Sequence, residues 1–417
     1  MDNFSHRSTQ PCILIPRRTG ARYRAGSGDV RAVTTTGVLA MHPMLKPALR
    51  RAWRDRATVQ FGITPAQAVV VSPVDPATGH FLELLDGTQG LPILYERARA
   101  LDLPPAQVDE LVARLTAAGV VDDPTAGGPA AEALRGRARA LERLRPDLAS
   151  LSLVHPEPGD AAARLAARAA IRVQVRGAGR VGASVAALLS GAGVGRVDVL
   201  DGGLAQPGDV APGGLPDTAV GERRATAAGQ LVRRAAPGGP PRRARAAEQT
   251  PLSLIVVAPR DPLDVYAPNA VDTEEWIKGG IPHLHAGVVE TTGVVGPLVL
   301  PGGTGCAGCL SLGRAERDAG WPRLLAQWRS GRQRTAVPAC DLALAAAVAG
   351  LAAAHALAFL DGDLPASTGT RWEASLPQLD WRSAPVTPHR DCFCGAVGNT
   401  RGEEVSGAAR AHDTMAR

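Results

Sequence analysis

Between Met44 and Asp123 the apolar positions fall into short, separated patterns. Residues 58–61 and 68–72 are β-branched runs divided by a turn-like gap, the signature of a hairpin. Three helical stretches follow, near residues 77–86, 91–101 and 105–118. In the last, Val108, Leu111, Val112 and Leu115 recur at i, i+3, i+4 and i+7 and line one face. Two small strands and three helices over residues 43–125 predict a small winged-helix-like N-terminal domain. Asp123-Pro124 and Gly127-Gly128-Pro129 end it, and residues 126–160 read as an Ala/Arg-rich helical connector.

Residues 161–397 have an α/β texture. A strand at 171–175 runs into a glycine turn and a helix at 183–189, and Arg196–Leu200 forms the next strand, ending at Asp201. A helix near 221–234 sits within the Pro/Gly/Arg-rich stretch 205–245, and 254–258 is a further apolar strand. Residues 284–289 and 294–300 flank a Thr-Thr-Gly turn and read as a hairpin. Strands alternating with helices predict an open, Rossmann-like sheet. Leu342–Leu360 is long enough to span a bilayer, but it is mostly alanine, contains His355 and starts after Asp341. A buried Ala-rich helix is the preferred reading. Residues 1–42 and 398–417 read as disordered tails.

Composition sharpens this picture in three ways. Hydrophobic residues at 45% support a core and exclude wholesale disorder, while aromatics at 3% require that core to be Ala, Val and Leu. The net charge of +6 comes mostly from residues 1–40, which hold six arginines against two aspartates. The remainder is too weakly charged to imply a nucleic-acid surface. Residues 1–40 also lack the continuous apolar stretch of a secretory signal, so a cytoplasmic chain with no membrane partner is expected.

Two constellations carry chemistry. Gly177-Ala178-Gly179-Arg180-Val181-Gly182 stands between a strand and a helix, and Asp201 ends the following strand. Glycines let the backbone approach a phosphate, the helix N-terminus supplies N–H groups, and the acid can accept from ribose hydroxyls. A Rossmann layer without nucleotide is the alternative. The second constellation pairs Cys306 and Cys309 (CxxC) with Cys392 and Cys394 (CxC). In a cytosolic chain this reads as a structural four-thiolate zinc site rather than disulfides, with Gly305, Gly308 and Gly395 suiting the sharp turns of metal knuckles. Cys340 precedes the Ala-rich helix, where a helix N-terminus would favour thiolate; burial as a small apolar residue is the alternative. His283 and His285 alternate along a strand and therefore share a face.

Together these residues resemble the ThiF/MoeB/ubiquitin-activating superfamily, which adenylates the C-terminal carboxylate of a small protein or peptide. The glycine turn, Asp201, the phrase Val220-Gly221-Glu222-Arg223-Arg224-Ala225, the strand 254–258 and the run Gly305-Cys306-Ala307-Gly308-Cys309 carry the likeness. It implies ATP with Mg²⁺ on Gly177, Gly179, Gly182 and Asp201, Arg224 in place of the family lysine, Asp261 at the magnesium position, and Cys340 as a thiol acceptor. Two departures stand out: Gly203 replaces a second aspartate, and residues 209–212 lack the arginine that contacts ATP phosphates.

Residues 43–123 in turn resemble a PqqD-type peptide-recognition element, which would add a leader peptide as an extra strand. The expected partners are a precursor peptide or small carrier protein, a YcaO-type cyclodehydratase and a second copy of the chain. Two functions follow: adenylation of a peptide or carrier carboxylate, or delivery of a leader peptide by a catalytically degenerate relative to a separate modifying enzyme.

Overall fold

A computed structural model describes residues 12–14, 41–239, 250–330 and 337–399. Most of the two expected tails, and the end of the Arg-rich stretch, lie outside these residues. The chain divides into two compact units, 1–167 and 168–417.

The first unit is built on a small antiparallel sheet. Strands β1 (Cys12–Leu14), β3 (Arg51–Trp53), β4 (Val59–Phe61) and β5 (Val69–Ser72) lie in the order β1-β5-β4-β3, and β2 (Met44–Leu45) pairs with β6 (Val121–Asp122). Helices α1 (Pro76–Leu84), α2 (Leu91–Arg99) and α3 (Pro105–Ala117) follow the sheet. The periodic residues Val108, Leu111, Val112 and Leu115 are all buried, in one core with Val59, Phe61, Val71 and Phe81. β1 departs from the expected tail: Cys12-Ile13-Leu14-Ile15 is an apolar tetrapeptide inside a polar stretch, and its first three residues pair with β5.

Helices α4 (Gly128–Arg135), α5 (Ala138–Val154) and α6 (Asp160–Ala167) cluster with this unit through their own small core. Lys46, one of two lysines in the chain, ties them down. Its buried Nζ donates to Ser152 O at 2.7 Å and Pro156 O at 2.9 Å, across carbonyls at the end of α5. A cation there complements the helix dipole and carbonyls that have no partner within the helix. Burial pushes the Lys46 ammonium down, opposed by the charges of Asp122 and Glu157.

The second unit holds a mixed seven-stranded sheet. Its strands are β7 (Arg172–Arg176), β8 (Arg196–Leu200), β9 (Leu254–Val257), β10 (His283–Val289), β11 (Thr292–Val299), β12 (Thr370–Ser375) and β13 (Arg382–Pro385). They lie in the order β13-β12-β11-β10-β9-β7-β8; β8, β7, β9 and β10 are parallel, and the rest adds antiparallel. The helices are α7 (Arg180–Gly191), α8 (Arg224–Ala235), α9 (Pro262–Tyr266), α10 (Ala270–Lys278), α11 (Ala307–Arg317), α12 (Trp321–Arg329) and α13 (Leu342–Leu360). α7 and α13 join Val173, Val175, Val256 and Leu284 in the main core. α13 passes the length and apolarity test for a membrane span, and it packs eight of its residues, mostly alanines, into that core. Small residues permit this close approach: a Cβ on Gly293 would lie 2.6 Å from a Val348 methyl.

The end of α13 is locked by a buried ion pair. Arg168 Nε and a terminal guanidinium nitrogen donate to the two Asp361 oxygens at 2.8 and 2.6 Å, and the other nitrogen donates to Ala192 O at 2.9 Å. Removing one partner strands a buried charge. Arg168→Ala is expected to cost about 3–5 kcal/mol of unfolding free energy, with Arg168→Met/Asp361→Leu recovering most of it. Urea denaturation of the two variants checks this, and a loss below about 1 kcal/mol for Arg168→Ala would contradict it.

Candidate functional site

The direction of the crossovers reverses between β7 and β9, which in open α/β sheets opens a crevice beyond the strand ends. The glycine turn sits there. Gly177 follows β7 at φ +105°, and a Cβ would lie 2.0 Å from Ala258 O just past β9. A Cβ on Gly182 would lie 2.1 Å from Gly177 O. These two glycines fix the turn against the sheet and α7 against the turn. Gly179 caps the start of α7, and a Cβ there would meet nothing nearer than 3.7 Å. No side chain caps α7, leaving N–H groups and a positive dipole toward the crevice.

Asp201 lies beside this turn with its carboxylate engaged. One oxygen accepts from Ala178 N–H at 2.9 Å; the other accepts from Gly203 N–H at 2.8 Å and from Arg224 Nε at 2.9 Å. Burial alone would push the carboxyl up; Arg224 and the two N–H groups outweigh it and hold it below the usual carboxylate range. The Arg224 guanidinium lies over Gly203, where a Cβ would come within 2.1 Å of its nitrogen. Arg224 thus occupies the space a side chain at 203 would need.

The chain of ion pairs continues. Arg224 also reaches Asp209 at 3.4 Å and donates to Leu204 O at 2.8 Å, and Arg260 Nε donates to the buried Asp209 at 2.8 Å. Arg260 further donates to Gln206 Oε1. Asp209, Arg260 and Gln206 were not among the sequence-predicted site residues. Gln206 and Asp209 share one loop, and only the fold brings Arg260, which follows β9, to them.

Asp261 and Cys340, expected at a magnesium position and as a thiol acceptor, each make local contacts. Asp261 is the N-cap of α9, its carboxylate accepting from Leu263 N–H at 2.8 Å. Cys340 precedes the N-cap Asp341 of α13, and its carbonyl accepts from Arg180 at 2.6 Å. Its thiol is pushed up, first by burial and then by Asp341 and Asp209, against the opposing Arg180 and Arg260. Desolvation therefore outweighs the helix-terminus effect that favours thiolate.

The four paired cysteines do converge. All are buried, and their sulfurs lie within 4.8 Å of one another, with Cys306–Cys392 at 3.5 Å, Cys309–Cys394 at 3.4 Å and Cys306–Cys309 at 3.9 Å. Zinc–sulfur bonds of about 2.3 Å in a tetrahedron require edges of roughly 3.8 Å, so the set fits a zinc ion. Cys306 is the N-cap of α11 and Cys309 lies in its first turn, where the dipole favours thiolate. The Cys306 thiol donates to Cys309 and holds it low, and His389 N–H adds a bond to Cys309 Sγ at 3.3 Å.

The flanking glycines work differently from the sharp turns expected. Only Gly395 adopts a left-handed φ, of +70°. Gly308 and Gly305 are needed for close approach instead: a Cβ would lie 2.9 Å from Cys392 Sγ at the first and 2.1 Å from Val386 O at the second. Elemental analysis of purified protein should find about one zinc per chain, and Cys309→Ser should abolish it. Metal-free protein purified without chelator would contradict this assignment.

His283 and His285 share a face of β10, with ring centroids 5.6 Å apart. His283 Nδ1 contacts Ile281 O at 3.2 Å; a carbonyl only accepts, so Nδ1 carries the proton, and Nε2 has no partner among the described residues. Burial pushes His283 down to about 4 and His285 well below 6.5. Below pH 6.5 the unfolded chain takes up protons that the fold excludes, so stability falls as pH drops, and the His283 contribution is lost between pH 6.5 and about 4. The His283 share is roughly 3 kcal/mol. Comparing urea midpoints at pH 7 and pH 5 checks this; His283→Leu should shrink the drop, and an unchanged drop would refute it.

A Rossmann-type sheet with a glycine turn at its switch point and a four-cysteine cluster defines a nucleotide-fold protein with a metal-binding capacity. The ThiF family model matches residues 156–396, more than half of the 417 residues, and the chain belongs to the ThiF family. Solved structures share the fold. Escherichia coli MccB with succinimide is 15% identical, covering 86% of this chain and 100% of that one, with a TM-score of 0.60. MccB in complex with N-formylated MccA gives 15%, 85%, 99% and 0.60. The heterocyclase TruD is 17% identical at a TM-score of 0.55, and the match covers 85% of this chain but 43% of TruD. Comparison with curated protein sequences found no match.

Proposed function

We propose that this chain is a ThiF-family protein of ribosomal peptide modification that binds a precursor peptide and presents it to a separate modifying enzyme, its own nucleotide site having lost adenylation chemistry. The carrying observation is that Arg224 lies over Gly203 and pairs with Asp201, so the carboxylate that would hold a ribose is consumed inside the protein. With Asp209 clamped between Arg224 and Arg260, the cations that would offset developing pyrophosphate charge are already neutralised. Asp261, the remaining magnesium candidate, caps a helix. The structural likeness to TruD, a heterocyclase more than twice as long as the matched region, supports a partner of the YcaO type supplied as a second protein.

A second reading, ATP-dependent adenylation of a peptide or carrier carboxylate, is favoured by one feature: the glycine turn and the uncapped start of α7 are intact. MccB, the fold neighbour solved with ATP, supports it as well. In that reading Gly177, Gly179, Gly182 and Asp201 hold ATP with Mg²⁺, and the Asp201–Arg224 pair opens on binding. Titration calorimetry of ATP–Mg²⁺ into the protein separates the two. The peptide-presenting role predicts no saturable heat up to millimolar ATP. Saturable binding that disappears in Asp201→Ala would establish the second reading.

A further inference from the structure

The outer edge of β5 is taken by a segment from far upstream. β1 pairs antiparallel with it through Cys12↔Ser72, Ile13↔Val71 and Leu14↔Val70, and no other described strand covers that edge. In the sequence, Cys12-Ile13-Leu14-Ile15 is bracketed by Pro11 and Pro16, neither of which can donate to a ladder. The described pairing spans three residue pairs. An exposed sheet edge is where an extended peptide adds as a new strand, held by backbone hydrogen bonds. β5 offers such an edge, with Val69 and Val71 buried in the core of the unit and the backbone facing outward.

We propose that Cys12–Leu14 is an intramolecular stand-in for the extended peptide this unit captures, occupying the outer edge of β5 until a longer strand displaces it. This rests on the peptide-binding role proposed above. A match three residue pairs long is weak on its own; tethering to the same chain maintains it by raising its effective concentration, to on the order of millimolar. A precursor peptide that pairs over more residues overcomes that concentration, whereas shorter or poorly matched peptides do not. The segment thereby raises the length of strand needed for capture.

The test uses the full chain and a fluorescent synthetic peptide of residues 10–17, Gln-Pro-Cys-Ile-Leu-Ile-Pro-Arg, followed by anisotropy under reducing conditions. Adjacent residues of an edge strand point their N–H groups to opposite sides, so the double variant Ile13→Pro/Leu14→Pro removes whichever donor faces β5 and frees the edge; Cys12→Pro/Ile13→Pro is an independent second break. Both variants should bind the peptide at least tenfold tighter than the wild type, and a scrambled peptide should bind neither. Hydrogen exchange provides a second readout: the amides of Val69–Ser72 that face β1 should exchange at least tenfold faster in the variants, and those that face β4 should not. Equal peptide affinity for wild type and variants, or no binding to any of them, would overturn the proposal. Precursor-peptide capture by the wild type with no gain in the variants would also overturn it while leaving the peptide-binding role standing.

Discussion

The Asp201 carboxylate joins three segments that the sequence keeps apart. It accepts from the glycine turn after β7, from the loop after β8 and from Arg224 at the start of α8. The crevice at the switch point takes its shape and its charge from this one group. A free carboxylate there would face a ligand. The bonded one acts instead as the keystone of a closed network running through Arg224 and Asp209 to Arg260. Breaking any member exposes a charge whose solvation the network had replaced, so the network resists partial opening.

The rest of the second unit holds that crevice in place. Gly177 allows the turn to touch Ala258, and Gly182 allows α7 to touch the turn, so the helix start is aimed by backbone contact rather than by side chains. α13 packs against α7 and the sheet in the main core and is pinned at its C-terminal end by the Arg168–Asp361 pair. The cysteine cluster draws residues 392–394 onto the start of α11, which ties the end of the described chain to the same unit. Four thiolates around one ion would leave no coordination position for a substrate, so a metal held there would act as scaffold.

Much of this was legible because the signals were local. Strand, glycine turn, helix, strand and acid appear in order within about thirty residues, so the switch-point crevice could be read from residue types alone. CxxC and CxC spacings likewise identified all four sulfurs that converge. What was hidden depends on long-range geometry. Arg224 fills the space above Gly203, a contact between positions twenty-one residues apart in the loop-rich stretch that carries no local signal. Asp209 and Arg260 lie fifty-one residues apart and carry no motif. Strand β1 escaped notice because three apolar residues in a polar stretch fall below any periodicity signal. Cys340 shows the same limit: its position before a helix is legible, but the burial that raises its pKa is not.

The claim on which these points converge is that internal ion pairs have replaced nucleotide chemistry at the crevice. Its most direct test is ATP–pyrophosphate exchange with the purified full-length protein, magnesium and peptides ending in a free carboxylate. The closed network predicts exchange indistinguishable from a protein-free blank, in the wild type and in Arg224→Ala alike. Exchange above the blank that is lost in Asp201→Ala would contradict it and identify the chain as a working adenylating enzyme.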